Sequence, residues 1–215
     1  MEFTTRPVVM GTNGMVTSTH YLASQAGLHC LKQGGNAVDA GATMWFCQTI
    51  LEPHRAGVAG ECPILIYSAE EERVIVVNGQ GPAAGAATIE WFEEHGYDLI
   101  PPDGFLPAVV PGAFDAWITA LEKFGSETLE EILQPAIELA AKGFPVYPEL
   151  RRSLIGPDQE VGLGVVEGRI KTAPLTVAER FLGEWPSSAN TYLKNGQVPQ
   201  VGEVICNPDL AHTLE

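Results

Sequence analysis

The stretch Ala37–Leu51, AVDAGATMWFCQTIL, is apolar on nearly every side. A helix of that composition has no face to offer water, so any fold that contains it must wrap other elements around it. In the preceding run, Leu22, Ala26 and Cys30 recur at helical spacing. That run ends at Gly34-Gly35, because glycine accepts the left-handed conformation that stops a helix. Two helices joined by a tight turn are expected. Trp45 and Phe46 are expected in the core, where large aromatic side chains dominate packing.

The rest of the chain supplies what surrounds that helix. Met15–Thr19 reads as a short strand. Ile64–Tyr67 and Val74–Val77 flank a polar segment and read as a hairpin, and their unbroken apolar runs predict strands covered on both faces. Thr88 is placed to cap a short helix that ends by Gly96. Pro111-Gly112 introduces a helix closing near Phe124-Gly125. Leu129, Ile132, Leu133, Ala136, Ile137 and Ala140 follow the helical rule, with Ser126 as the cap, a kink or break at Pro135 and an end at Gly143. Ile155–Arg169 is glycine-rich and carries no assignable pattern. Val177–Leu182 holds one or two helical turns. Tyr192–Val201 fits a hairpin turning at Asn195-Gly196, and Pro208–Leu214 starts another helix. No repeat or low-complexity linker interrupts the series. The fold class is α/β (α+β), in a single domain over residues 1–215 with no internal boundary.

Composition narrows the chemistry. The net charge of −15 argues against nucleic acid or an anionic membrane as the main partner. The longest apolar stretch is too short to span a bilayer and contains Thr43, Gln48 and Thr49. The opening MEFTTRPVVMG lacks the apolar run of a signal peptide, which makes a cytoplasmic location the expectation. Cys30, Cys47, Cys62 and Cys206 form no CxxC pair and are expected as reduced, buried thiols. The five histidines show no HExxH spacing, so neither a metal nor another cofactor is expected. Signatures for phosphate binding and for a serine nucleophile elbow are missing. Residue types and spacing alone give a soluble, enzyme-like α/β domain.

The order of the segments adds more. GGNAVDA, then EPH with a glycine-rich loop and an apolar strand, then NGQGPAAGAAT, LPAVVPGAFDAW, TLEEILQPAIELAAKGFPVYPEL and EWPSSANTYLKNGQVPQVGEVICNPDLAHTL follow one another. Together they resemble the N-terminal part of the large subunit of γ-glutamyltransferase-family enzymes, over roughly Met15–Glu215. The resemblance implies the N-terminal portion of a four-layered αββα sandwich of the N-terminal-nucleophile hydrolase type. It also implies a precursor that cleaves itself and frees a threonine whose own α-amine acts as the base. That threonine and a Gly-Gly oxyanion loop would belong to a downstream small subunit. No catalytic residue is therefore assigned within this chain. It is expected to be inert alone and to act in a heterodimer or larger oligomer on a small-molecule amide. Family members are often exported, so a leader ahead of this stretch fits the resemblance.

Two residues are candidates for substrate contact. Where the family carries an arginine that grips the substrate α-carboxylate, this chain has Gln80. A carboxamide lacks the permanent charge and rigid fork of a guanidinium. Gln80 therefore turns the expectation toward another acyl amide, as for the cephalosporin-acylase-like members. Arg55, just after EPH, is the second candidate. His54 is expected to order the loop Gly57-Val58-Ala59-Gly60 by hydrogen bonding. The function read from all this is transfer or hydrolysis of a γ-glutamyl-like acyl amide. The alternatives are an amidase or acylase of the same fold without γ-glutamyl specificity, and a non-catalytic half-fold serving as an interaction module.

Overall fold

The central helix, α2 (Ala37–Leu51), begins where Asn36 and Asp39 cap each other's backbone. The computed structural model describes residues 8–101, 104–156 and 176–215, and it puts this helix in the middle of the core. Asn36 Oδ1 accepts the Val38 N–H at 2.8 Å, and Asp39 Oδ2 accepts the Asn36 N–H at 2.8 Å. This capping box satisfies donors that a helix start otherwise leaves orphaned. Ahead of it, α1 (Tyr21–Gln33) ends on Gly34 at φ 114°, the left-handed turn expected of the glycine pair. Phe46, Cys47 and Leu51 are fully buried. Burial pushes the Cys47 thiol up to about 12, so it stays protonated and acts as a small hydrophobe. Trp45 departs from expectation. It is only partly buried, on the rim of the core, with its ring tilted against that of Trp117 at 6.1 Å.

The hairpin forms as expected. β1 (Cys62–Ser68) pairs antiparallel with β2 (Arg73–Gly79), with Leu65 opposite Val76 and Tyr67 opposite Val74. Alternation along the strands sends Ile64, Ile66 and Val77 inward, against the core and α4 (Ala113–Phe124). The expected cover on the other face is missing among the described residues. Leu65, Tyr67, Val74 and Val76 are 58–70% exposed and form one apolar block. The unbroken apolar runs thus record two faces, of which the described residues bury one. Met15–Thr19 forms no strand; Ser18 Oγ instead donates to the His20 carbonyl at the entrance to α1.

Thr88 caps α3 (Ile89–Glu94), and α5 (Leu129–Lys142) follows α4. The cap of α5 is Thr128, which forms a capping box with Glu131, and not Ser126. Ser126 is occupied elsewhere: its N–H and Oγ both donate to Asp39. α5 continues through Pro135 without a break. The proline removes one hydrogen bond, and packing against α2 and α9 (Pro208–Leu214) holds the helix across that gap.

After α5 the chain makes a long connection between two short paired strands. β3 (Phe144–Pro145) leads into α6 (Pro148–Ile155), α7 (Val177–Gly183) and α8 (Pro186–Tyr192), and the chain returns through β4 (Val204–Ile205). β3 and β4 pair antiparallel, flanked by a Val146 N–H bond to the Glu203 carbonyl at 2.8 Å. Ala178, Ala189 and Leu193 make a small cluster of their own. Asn195 and Gly196 turn the chain at φ 53° and 74°, but they close only the Lys194–Gln197 bridge, and Tyr192 belongs to α8. Of the pattern-free stretch Ile155–Arg169, residues from 157 onward lie outside the described residues. All four cysteines are free; Cys206 is exposed, and Cys30 and Cys62 are only partly buried, against the expectation of uniform burial.

One side chain ties the two helical pairs together. Asp39 is completely buried, and beyond its cap it accepts the Ser126 N–H at 3.0 Å and the Ser126 hydroxyl at 2.6 Å. The neighbouring Asn36 Nδ2 donates to the Phe124 carbonyl at 2.7 Å. Burial alone would raise the Asp39 carboxyl, but the Ser126 hydroxyl and the Asn36, Ser126 and Glu127 N–H groups outweigh it and hold it below the usual range. Asp39→Ala strands these donors and is expected to cost roughly 1–3 kcal/mol. Because the folded carboxyl ionises below its ordinary value of 3.8, its contribution is complete above that pH and is lost as pH falls through the folded value. Urea midpoints against pH check this; an acid limb unchanged by the substitution would assign it to other carboxylates. By the same readout Phe46→Ala should cost about 3–5 kcal/mol and Trp45→Ala clearly less. Equal costs would place Trp45 inside the core.

Candidate functional site

Three glycine-bearing segments meet where β1 begins, β2 ends and α4 begins. The first is the loop ending at Gly60. Its carbonyl accepts the Gly112 and Ala113 N–H groups at 3.1 and 3.0 Å, which replaces the missing side-chain cap of α4. The second is Gly79-Gln80-Gly81-Pro82, and the third is Val109 to Gly112. Pro82 accepts the Val110 N–H at 3.0 Å, and Ala83 bridges Val109. The approach is close enough to require glycine. A β-carbon on Gly81 would overlap the Val110 carbonyl oxygen, and one on Gly112 would sit 2.6 Å from the Gly79 carbonyl oxygen.

Gln80 rides on this crossing. Its backbone N–H donates to Asn78 Oδ1 at 3.2 Å, and the residue is exposed. The backbone there is pinned while the carboxamide faces outward. Arg55 has a different setting. Its guanidinium pairs with Glu149 at the start of α6, with both side chains 46% exposed. The two candidate residues thus have separate partners, Arg55 with Glu149 and Gln80 with Asn78.

The segment between them and α2 is polar and largely buried. Glu52, 3% exposed, accepts hydrogen bonds from Thr19 and from Gln48 Nε2, the latter at 3.0 Å. The Tyr147 hydroxyl donates to the carbonyl of Leu51, the last residue of α2, at 3.0 Å. The role expected of His54 does not hold. Both its ring nitrogens are buried without a hydrogen-bond partner among the described residues. The loop is ordered by its own backbone instead: Arg55 and Ala56 N–H donate to the Glu52 carbonyl, and Gly60 N–H to that of Gly57.

Burial raises the thiols of Cys30, Cys47 and Cys62, which disfavours their thiolate forms. Among the described residues no three His, Cys, Asp or Glu side chains converge as a metal-ligand set. No helix among them is long and apolar enough to cross a membrane. Two positions escaped the sequence reading. Asp39 was signalled by the Asn36-x-x-Asp39 spacing of a capping box, while the burial of Glu52 has no signal beyond its place at the end of an apolar helix.

Comparison with known proteins agrees with this architecture. The family model described as gamma-glutamyltranspeptidase matches residues 23–215. The glutathione hydrolase-like YwrD proenzyme of Bacillus subtilis is 33% identical over 207 residues, covering 96% of this chain and 35% of that protein. The acylase ACY 1 proenzyme of Pseudomonas sp. is 40% identical over 149 residues, covering 65% of this chain and 26% of that protein. The chain thus spans about a quarter to a third of the length of these relatives. The crystal structure of cephalosporin acylase from Bacillus halodurans superposes with a TM-score of 0.80 at 32% identity, over 98% of this chain and 36% of that one. That of Helicobacter pylori gamma-glutamyltranspeptidase gives 0.79 at 27% identity, over 97% and 54%. The fold is the mixed α/β fold of these N-terminal-nucleophile hydrolases. With the family model matched across nearly all of its length, this chain belongs to the gamma-glutamyltranspeptidase family.

Proposed function

We propose that this chain is the N-terminal part of the large subunit of an acyl-transferring N-terminal-nucleophile hydrolase, completed by a downstream subunit that carries the nucleophilic threonine. The observation that carries the reading is the ordered match from residue 23 to 215 to a family whose members run well past this length. Loss of an amide bond in the donor, attack by the threonine hydroxyl and transfer of the acyl group to water or an amine would follow the activated-nucleophile scheme. In that scheme this chain supplies walls and substrate contacts.

The outer face of the hairpin supports a partner subunit. Leu65, Tyr67, Val74 and Val76 present a contiguous apolar block, with Leu65 paired opposite Val76 and Tyr67 opposite Val74, rather than single scattered residues. Expressed alone, the chain should self-associate, and Leu65→Lys with Val76→Lys should reduce this. Co-expression with the downstream part should yield a soluble heterodimer. A monomeric wild-type chain with a cooperative melting transition would count against the reading. Light scattering and size-exclusion chromatography distinguish these results.

The second reading concerns the donor. Gln80, exposed at the end of β2, favours an acyl group without a free α-carboxylate, since a carboxylate entering there would lose water and gain no cation. The likeness to an acylase points the same way. Gln80→Arg in the complete enzyme should improve kcat/KM for γ-glutamyl anilides by at most roughly 1.5–3 kcal/mol. It should leave uncharged acyl anilides unimproved. If wild type already turns over the γ-glutamyl donor efficiently and the substitution changes nothing, Gln80 does not set specificity. Arg55 then becomes the residue to test. Its half-exposed pair with Glu149 is worth no more than about 1 kcal/mol to stability, so Arg55→Ala reports on binding rather than folding.

A further inference from the structure

The end of α2 carries a cluster that the acyl-transfer reading does not use. His20, 6% exposed, precedes α1, and its Nδ1 accepts the Leu22 N–H at 3.3 Å. Only a ring without a proton on Nδ1 can do this. The same ring stacks on Tyr21 at 4.8 Å and meets the Tyr147 ring edge-on at 5.0 Å. His54, just past α2, lies 6.3 Å from Tyr147 on centroids, with both nitrogens sealed from water. Through its hydroxyl, Tyr147 also holds the last carbonyl of α2. One tyrosine ring therefore joins the start of α1, the end of α2 and the start of α6.

We propose that His20, Tyr147 and His54 form an acid-sensitive clasp, in which neutral imidazoles hold these three helix ends together and protonation from solvent releases them. Protonation turns His20 Nδ1 from acceptor to donor and so removes the cap of α1. A proton on His54 places a charge where no described group accepts its hydrogen bonds. The loop that begins at His54 carries Arg55 and runs to Gly60, whose carbonyl anchors α4 beside Gln80. Opening the clasp therefore slackens the candidate substrate site, the one part of the proposal that rests on the acyl-transfer reading.

The groups facing the two rings set the direction. For His20, burial disfavours the charged form and outweighs the nearby Glu52 carboxylate. For His54, burial again leads, the Arg55 guanidinium adds to it, and Glu149 and Glu52 oppose. Both rings ionise below their ordinary value of 6.5. Burial, with Glu52 and Glu149, raises the Tyr147 hydroxyl, which stays protonated throughout this range. The clasp is intact at and above pH 6.5 and weakens as pH falls from there through the folded values.

Hydrogen–deuterium exchange of the complete protein at about pH 7.5 and about pH 5, corrected for intrinsic rates, tests this independently of activity. Peptides over residues 18–24, 50–60 and 146–151 should lose protection in acid, while α5 keeps its own. The loss should reach up to about tenfold per histidine for each pH unit below the ordinary value. His20→Asn keeps a side-chain acceptor at the cap without titrating, and His54→Phe keeps a ring against Tyr147. The pair should retain protection in acid. Equal protection of wild type at both pH values overturns the proposal, as does a loss that spreads to α5, or one that the double variant still shows. Should the double variant not fold, the wild-type comparison decides alone.

Discussion

A single buried carboxylate sets the geometry of this chain. Asp39 caps the helix it belongs to and also accepts from the backbone and hydroxyl of Ser126, in the turn between α4 and α5. A buried charge is expensive unless its lone pairs are filled, and here several donors converge on two oxygens. The donors come from two turns far apart in sequence, so the carboxylate is satisfied only when α1–α2 and α4–α5 have docked in one arrangement. Apolar burial drives α2 inside, but it is non-directional and would accept many registers. The hydrogen bonds of Asp39 and Asn36 select one of them.

The hairpin is packed on one face only by the described residues. Its inner face is held by Ile64, Ile66 and Val77 against α4 and the core. Its outer face has comparable side chains and no cover among the described residues. A two-stranded sheet is marginal by itself and gains stability from what packs on it. Among the described residues the helices cover one side, and the apolar character of the other side stays open.

Much of this was legible in the residues. The glycine stop at Gly34, the extent of α2, the hairpin and the cap at Thr88 all follow from local chemistry that acts within a few residues. What was not legible depends on partners distant in sequence. Ser126 looks like a cap until Asp39 claims it, and Thr128 then takes the cap. Trp45 looks like core until its place on the rim is known. His54 looks like a donor to its own loop until packing seals its ring. For the candidate site, Gln80 was found through resemblance. The glycine crossing that pins it needed the fold, because Gly81 and Val110 are brought together only by tertiary structure.

The antiparallel pairing of β3 with β4 has a consequence for how such a chain can vary. The backbone runs out of β3 at Val146 and comes back to β4 at Glu203, and these two residues are hydrogen-bonded to each other. The stretch between them therefore has its ends already tied, and Tyr147, Leu150 and Tyr192 near those ends also pack on the core. The entropy of closing such a loop rises only by roughly 0.6 kcal/mol for each doubling of its length. Away from those core-packed positions, residues can be gained or lost while Phe144 and Ile205 stay in the core and α9 stays against α5. Evolution can thus remodel one end of the molecule, lengthening or trimming it, without renegotiating the helices that meet at Asp39.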